Sequence, residues 1–474
     1  MSSLSPIRQL LALITQSVET LEKTCVKNGT GVPDLYEPFS PPSEAFRADP
    51  VAAEAANIIS AAALHMEAIL TPPQVSLYRM VGGHFKSTTI RACLESNVTK
   101  ILREAGPQGL HVEDIASQNG QDPKKLGRFL RYLANHHVYR ELQPNVFTNT
   151  RISSMLDTLK PSKVILANPE RKHDNTMGLA ALASHHLDEV FKASAYSWET
   201  LADSQTVLSE DPSAAPLGRV MKTTDTLWQF YARPEENFRQ RRFGIGMKGV
   251  QAMQPADTIL TAFDWKSLAP ESVVVDVGGG IGSVSLPLAA QFPHLKIVVQ
   301  DLPSVIEDAK AMWSTEMPDA IKSGQVKLEA HDFFTPQPQA NASVFFLKQI
   351  CHDWSDQYCM EFLKQLRSAA TPKTVLFLME SIMPFACHDP SSDSDNGIPG
   401  ATPKEAPAPL LANYGAVNEM GYNADITMFL LTNSQERTIL HIDELLRNTG
   451  WKVTVVRRRP EDNTFLQSIE AVPI

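Results

Sequence analysis

Cysteine is scarce in this chain: five residues in 474, Cys25, Cys93, Cys351, Cys359 and Cys387, scattered and without a C-x-x-C pair. That argues against a disulfide framework and for reduced thiols in an intracellular, cytoplasmic protein. No apolar run approaches the ~20 residues that span a bilayer, which excludes a membrane helix. The amino-terminal stretch Met1–Lys23 has a short apolar segment interrupted and followed by polar and acidic residues. Without a small-residue cleavage site it is expected to be a surface or interface helix, not a signal peptide. Positive charge is also in deficit, with 43 Lys and Arg against 53 Asp and Glu, a formal net charge of −10. Such a chain has no general electrostatic hold on nucleic acid or on an anionic membrane, so neither is an expected partner. The G-x-G-x-x-G signature of dinucleotide folds is missing from its glycine-rich turn as well.

What is present is an ordinary globular balance, 43% apolar and 20% charged, in a length suited to about three domains or two with embellishments. Three regions separate: residues 1–160, 161–256 and 257–474. In the first, a proline-rich connector (Gly31–Phe46) precedes an alanine-rich helical stretch beginning at Pro50. Farther on, Val112, Ile115 and Ala116 give one short helical face, and Leu126, Phe129, Leu130 and Leu133 give another. "VYREL" and "VFTNT" around Gln143-Pro144-Asn145 form an expected hairpin. Helix, turn, helix and hairpin make a winged-helix arrangement. Lys124, Lys125, Arg128 and Arg131 on its second helix raise DNA binding, but the solvated face of an ordinary helix is the preferred reading in so acidic a chain. The second region is helical, with Leu227, Phe230 and Tyr231 on one side of a helix, as core or as pocket lining.

From Val273 the pattern changes. "SVVVDV", "KIVVQD", "VKLEAHD", "ASVFFLKQ" and "TVLFLME" alternate with amphipathic segments, which predicts a mostly parallel, doubly wound α/β sheet covered on both faces. "WKVTVVRRR" and "TFLQSIEAV", joined through Pro460-Glu461-Asp462-Asn463, predict an antiparallel terminal hairpin. The stretch 386–409, dense in Pro, Ser, Asp and Gly, is expected to be a flexible surface loop that buries no core.

The first strand runs into Asp276-Val-Gly278-Gly279-Gly280-Ile-Gly282, a D-x-G-x-G-x-G turn. Glycines there let backbone N–H groups approach a ligand, while the acid repels phosphate and suits an ammonium group. S-Adenosylmethionine has that amino-acid end, a ribose and an adenine, and no phosphate. Asp301 and Asp332 close the next two strands, placed for ribose hydroxyls and for the adenine amino group, with Phe333 as an apolar wall. Taken singly, each acid has a plainer reading as a helix cap or turn residue.

At "FFLKQICHDWSDQ" the chain resembles the catalytic segment of the caffeic-acid-type, S-adenosylmethionine-dependent small-molecule O-methyltransferases of plants and fungi. "DVGGGIG", "QDLPSV", "HDFF", "LMESIMP" and "NSQERT" extend the likeness over most of its length. The resemblance implies a Rossmann-like methyltransferase fold behind a helical winged-helix dimerisation domain, and so a homodimer. It implies S-adenosylmethionine held by Asp276, Gly278, Gly279, Asp301, Leu302, Asp332, Phe333 and Lys348, with S-adenosylhomocysteine as product and no metal. It makes His352 the general base flanked by Glu380 and Glu436, with Met247, Asp353 and Met428 on the side of a small aromatic acceptor. Alone, His352 would be taken for a packing or capping residue; its neighbours decide otherwise. The chain departs from the family in a longer amino terminus and in residues 386–409, which fall between the two glutamates. Both suit the fungal branch, which decorates polyketide-derived phenols. The implied activity is methyl transfer to a phenolic hydroxyl of a secondary metabolite. The alternative is a methyltransferase-like pericyclase that binds the cofactor without transferring its methyl group.

Overall fold

The computed structural model describes residues 5–254, 257–458 and 466–474. The chain forms two compact units, Met1–Glu199 with Pro216–Gln254, and Thr200–Ala215 with Pro255–Ile474.

In the first unit, α1 (Pro6–Asn28) packs on α2 (Pro50–Leu70), and Leu21, Cys25, Phe46, Ala52 and Ala55 share a small core. Asp49 starts α2 by accepting from the Val51 and Ala52 amides, with Pro50 at the first helical position. α3 (Pro73–Val81) buries none of its side chains, and α4 (Gly83–Glu95) and α5 (Val98–Ala105) follow. The winged-helix reading holds. β1 (Leu110–His111), α6 (Val112–Asn119), α7 (Pro123–Ala134), β2 (Tyr139–Gln143) and β3 (Val146–Asn149) give a three-stranded sheet in the order β1-β3-β2. Ile115, Leu126, Leu130 and Leu133 are fully buried with Phe147 beneath the sheet. Asn145 takes the positive φ that the two-residue hairpin turn requires, and its side-chain oxygen accepts from Arg131 at 2.6 Å. That Arg131 is engaged inside the unit favours the solvated-face reading of the second helix. Leu227, Phe230 and Tyr231 are buried on a short helix capped reciprocally by Thr226 and Gln229.

The second unit is a seven-stranded sheet. β4 (Val273–Val277), β5 (Lys296–Asp301), β6 (Val326–Ala330), β7 (Val344–Lys348) and β8 (Val375–Glu380) are parallel. β9 (Trp451–Arg457) and β10 (Gln467–Pro473) are antiparallel, and the order is β6-β5-β4-β7-β8-β10-β9. The residues 460–463 expected to join the last two strands lie outside the described ones. Period-two alternation sends Val275, Phe345, Leu347, Leu376 and Leu378 to one face, under the helices Asp356–Ala369 and Ile439–Arg447. Val274, Ile297, Val299, Phe346 and Phe377 face the other way, against Leu288, Ala309 and Trp313 of the helices Ser285–Gln291 and Pro303–Glu316. Strand order reverses at β4, so the crevice between the carboxyl ends of β4 and β7 is the expected ligand position of an open α/β sheet.

One expectation fails. The stretch 386–409 does bury side chains: Ile398 is 3% and Ala401 1% exposed, both in the core under β9. The backbone oxygen of Pro399 accepts from the Val456 amide at 2.9 Å, and Arg458 donates to the carbonyls of Gly400 and Ala401. A segment poor in apolar residues needs only two of them, plus backbone bonds, to cover an otherwise open strand edge. No helix among the described residues is long and apolar enough to cross a membrane, and all five cysteines are unpaired.

Candidate active site

β4 delivers Asp276 and then the turn. Gly278, Gly280 and Gly282 have φ of +68°, +60° and +80°, the left-handed region open to glycine. A Cβ on Gly278 would stand 2.7 Å from Ile350 Cδ1, and one on Gly279 would press on Asp276's own carboxyl group, whereas one on Gly280 would project into open space. Space beside Gly280 is open. Asp276 is 2% exposed and its Oδ2 accepts from Ser285 Oγ at 2.6 Å. Burial pushes its pKa up to about 6; the Ser285 bond and Lys348 oppose this, and the nearby Asp301 adds to it. A buried carboxylate held this way gains from a bound cation.

Asp301 ends β5. Its Oδ2 accepts from the Gly280 amide at 2.8 Å and its Oδ1 from the Leu302 amide at 2.7 Å. Each oxygen keeps a second lone pair, so the carboxylate can still take two hydroxyl protons. Leu302, 47% exposed, lies just past it. Asp332 departs from expectation: it stands two residues beyond β6, is exposed, and its Oδ1 accepts from the Phe334 amide at 3.0 Å in a turn. Phe333 does reach the glycine turn, with Cε1 3.6 Å from where a Gly278 Cβ would sit, and its ring lies 5.1 Å from that of Phe362.

β7 ends at Lys348, whose Nζ donates to Gln349 Oε1 at 2.9 Å. Burial pulls its pKa down, while the Glu380 and Asp276 carboxylates work against that. A one-turn 3-10 helix, Cys351–Asp353, then presents His352, 9% exposed. Glu380, at the end of β8, accepts from the amides of Ile350 and Cys351 at 3.0 and 2.8 Å through one oxygen. Glu436 Oε1 lies 2.8 Å from His352 Nδ1 and is itself nearly fully buried. Donor atoms of His352, Glu380 and Glu436 all lie within 4.8 Å of one another. Burial alone would depress His352, but Glu436, Asp353 and Glu380 outweigh it and lift the imidazole to about 10. Burial likewise pushes Glu380 up to about 7 and Asp353 to about 6, each moderated by His352. With Nδ1 held by Glu436, the neutral ring carries its lone pair on Nε2; the nearest carboxylate oxygen there, Asp353 Oδ1, is 3.7 Å away, beyond hydrogen-bond range.

The structure thus brings together Asp276, the glycines, Asp301, Phe333, Lys348, His352, Asp353, Glu380 and Glu436 in the second unit. Met428 is half-buried on the helix Met420–Thr432 of that unit. Met247 lies on the helix Asn237–Ala252 of the first unit, 37% exposed. Three supporting residues escaped the sequence reading. Ser285 holds Asp276; Ser434 Oγ donates to the His352 carbonyl at 2.5 Å; and Asp425 accepts from the Glu436 amide at 2.8 Å. Hydroxyl and acid residues on distant segments carry no local pattern; only the proximity of Ser434 to the "QER" run hinted at one of them.

Acids at the switch point stand beside an imidazole tied to a carboxylate at the carboxyl end of β7. Comparison gives the family. Residues 198–396 match the O-methyltransferase domain and residues 78–158 the O-methyltransferase dimerisation domain. The chain is 51% identical over 471 residues to 4-O-methyltransferase 1 of Phanerochaete chrysosporium, covering 99% of each protein. It is 39% identical over 454 residues to an O-methyltransferase of Armillaria gallica, covering 95% of each. A solved structure described as a pericyclic reaction enzyme shares the fold, with a TM-score of 0.67, 17% identity and coverage of 89% of this chain and 95% of that one. The chain belongs to the S-adenosylmethionine-dependent O-methyltransferase family.

Proposed function

We propose that this enzyme methylates a phenolic hydroxyl of a small aromatic secondary metabolite, with His352 as general base. The observation that carries the reading is the buried 2.8 Å contact between His352 Nδ1 and Glu436 at the mouth of the sheet's switch point.

Asp276, Gly278, Gly279, Asp301, Leu302, Asp332, Phe333 and Lys348 are the residues proposed to hold S-adenosylmethionine. The fit rests on the buried Asp276, the spare lone pairs of Asp301 and the side-chain-free backbone at Gly280. When bound, the cofactor supplies a methyl carbon made electrophilic by a positive sulfur. The chain's part is to orient the acceptor and take its proton. Nε2 of His352 accepts the hydroxyl proton as the oxygen becomes nucleophilic, and the imidazolium so formed is stabilised by Glu436 until solvent removes the proton. Magnitudes favour this pairing. Against an ordinary imidazole, a phenol of pKa ~10 would lose its proton uphill by roughly 3.5 units, about 5 kcal/mol. With His352 lifted to about 10, transfer to the neutral ring is close to isoenergetic, and below that pH the small neutral fraction limits the rate.

Asp353 and Met428 are proposed acceptor contacts, and Met247 is proposed on resemblance alone. No metal is proposed to take part, because the cofactor's sulfonium already makes the methyl carbon electrophilic and His352 takes the proton. Dialysis against EDTA should leave the rate unchanged. The relative in Phanerochaete chrysosporium is named a 4-O-methyltransferase, which supports a ring hydroxyl at the 4 position as acceptor. With it goes a proposed division of the chain: 1–160 for self-association as a homodimer, 161–256 as helical linker and substrate-pocket region, 257–474 for cofactor and base, all in a cytoplasmic setting. Incubation with methyl-labelled cofactor and a panel of 3- and 4-hydroxylated aromatics tests the reading; label should enter the 4-hydroxyl compounds. Product formed without release of S-adenosylhomocysteine would contradict it.

A further inference from the structure

We propose that Arg437 is a positioning residue for catalysis: its guanidinium fixes the turn that aims His352, while the adjacent Glu436 fixes the ring. The proposal deepens the reading of His352 as base and rests on it.

Arg437 is 4% exposed, and no feature of the chemistry needs a cation at that point. Its three nitrogens are spent on the segment that carries His352. Nη1 donates to the Cys351 carbonyl at 2.7 Å, Nη2 to the Trp354 carbonyl at 2.7 Å, and Nε to Asp356 Oδ1 at 2.8 Å. Those two carbonyls bracket His352 and Asp353 on either side. Asp356 opens the helix Asp356–Ala369 and is gripped on its other oxygen by His441 Nε2 at 2.6 Å, so the third arm of the fork ends on an anchored group. Arg437 is itself fixed along the backbone: its carbonyl accepts from the Met383 amide at 3.0 Å, and it pairs in a parallel bridge with Ile382 just past β8.

The geometry explains why one tetrapeptide, Ser434–Arg437, matters. Ser434 holds the His352 carbonyl, Glu436 holds the imidazole and Arg437 holds the carbonyls before and after. Residues 434–437 therefore set both ends of the base in one register: the height of the backbone turn and the direction of the ring. From the opposite side Glu380 takes the Ile350 and Cys351 amides. A planar fork with donors in fixed directions can bridge two carbonyls and a carboxylate at once; a lysine ammonium on a flexible stem cannot. If the fork is lost, the two carbonyls keep only weaker donors such as Cys359 Sγ, at 3.3 and 3.4 Å, and the turn is freer to shift; a displacement of about 1 Å at a reacting group can cost ~10²-fold in rate.

The test uses the full-length enzyme. Arg437→Lys should fold, with wild-type circular dichroism, and bind S-adenosylmethionine with unchanged affinity by calorimetry. Its kcat should fall about 10²-fold with KM for the acceptor within about twofold. A second readout is the NMR titration of the His352 ring, assigned through its loss in His352→Gln. The groups facing that ring are Glu436, Asp353 and Glu380, and in Arg437→Lys its midpoint should move toward lower pH as the contact with Glu436 loosens. Wild-type kcat together with an unmoved titration would overturn the proposal. If Arg437→Lys does not fold, Asp356→Ala, which frees one arm of the fork, decides: an unchanged kcat and titration there would overturn it, and a smaller drop with the same displacement would support it. A displaced titration with activity that is insensitive to His352→Gln would sustain the positioning role and reject the base.

Discussion

At the scale of single residues the account turns on one imidazole and the anions around it. A general base works only unprotonated, and the neighbouring carboxylates hold His352 protonated up to about 10. It follows that kcat/KM, which reports the free enzyme, should climb through the alkaline range with a midpoint near that value. Glu436→Gln removes the anion and should move the midpoint toward the ordinary imidazole range, with a lower plateau because the tautomer is no longer fixed; a profile with unchanged midpoint would contradict the assignment. The stability contribution has the opposite sense. Because the folded pKa is raised from 6.5, the stabilisation due to protonated His352 is complete below about pH 6.5 and is lost as pH rises through about 10. Urea unfolding of wild type against His352→Gln should therefore show a stability difference that shrinks between those limits. His352, Glu380 and Glu436 were legible in the sequence because their flanking motifs are compact. Its raised basicity was not, since it arises from residues 352 and 436 meeting across 84 positions. Asp332 shows the converse: the sequence gives the acid and its place after a strand, but whether it closes the strand or a turn two residues later is decided by local backbone bonds.

At the scale of elements, alternation and strand composition sufficed for β4 to β8, because a strand buried on both faces must be apolar throughout. The 386–409 stretch was misjudged for a related reason. Composition measures how much a segment can bury, whereas this one docks by backbone pairing to β9 and by two small apolar anchors. Gly400 marks the docking: it has φ +75°, and an added Cβ would run into the Val456 carbonyl. Gly397 has a similar φ of +72° with open space around it. Gly400→Ala should then cost clearly more than the ~1–2 kcal/mol of left-handed strain expected for Gly397→Ala, measured by chemical denaturation. Equal costs would mean the segment does not dock on the sheet edge.

At the scale of the whole molecule, the first unit exposes large apolar side chains among the described residues. Leu77, Tyr78, Met80 and Val81 on α3 are each more than half exposed, as is Phe85 on α4. The matched dimerisation domain begins at residue 78, within α3, which supports a second copy of the chain as what covers this surface. If the proposed homodimer pairs through this surface, the double variant Leu77→Glu, Met80→Glu should be monomeric by light scattering at micromolar concentration. A wild-type chain that is monomeric, or a variant that stays dimeric, would remove that part of the proposal. The winged-helix pattern was legible because its helices and hairpin are local, and the resemblance implied a homodimer; which face would pair was not, since exposure of α3 is a property of the folded unit.

The most direct measurement is single-turnover methyl transfer from labelled S-adenosylmethionine to a 4-hydroxylated aromatic acceptor by His352→Gln. A rate about 10²- to 10⁴-fold below wild type, with cofactor affinity unchanged, is the expected result. Transfer at the wild-type rate would contradict the central claim.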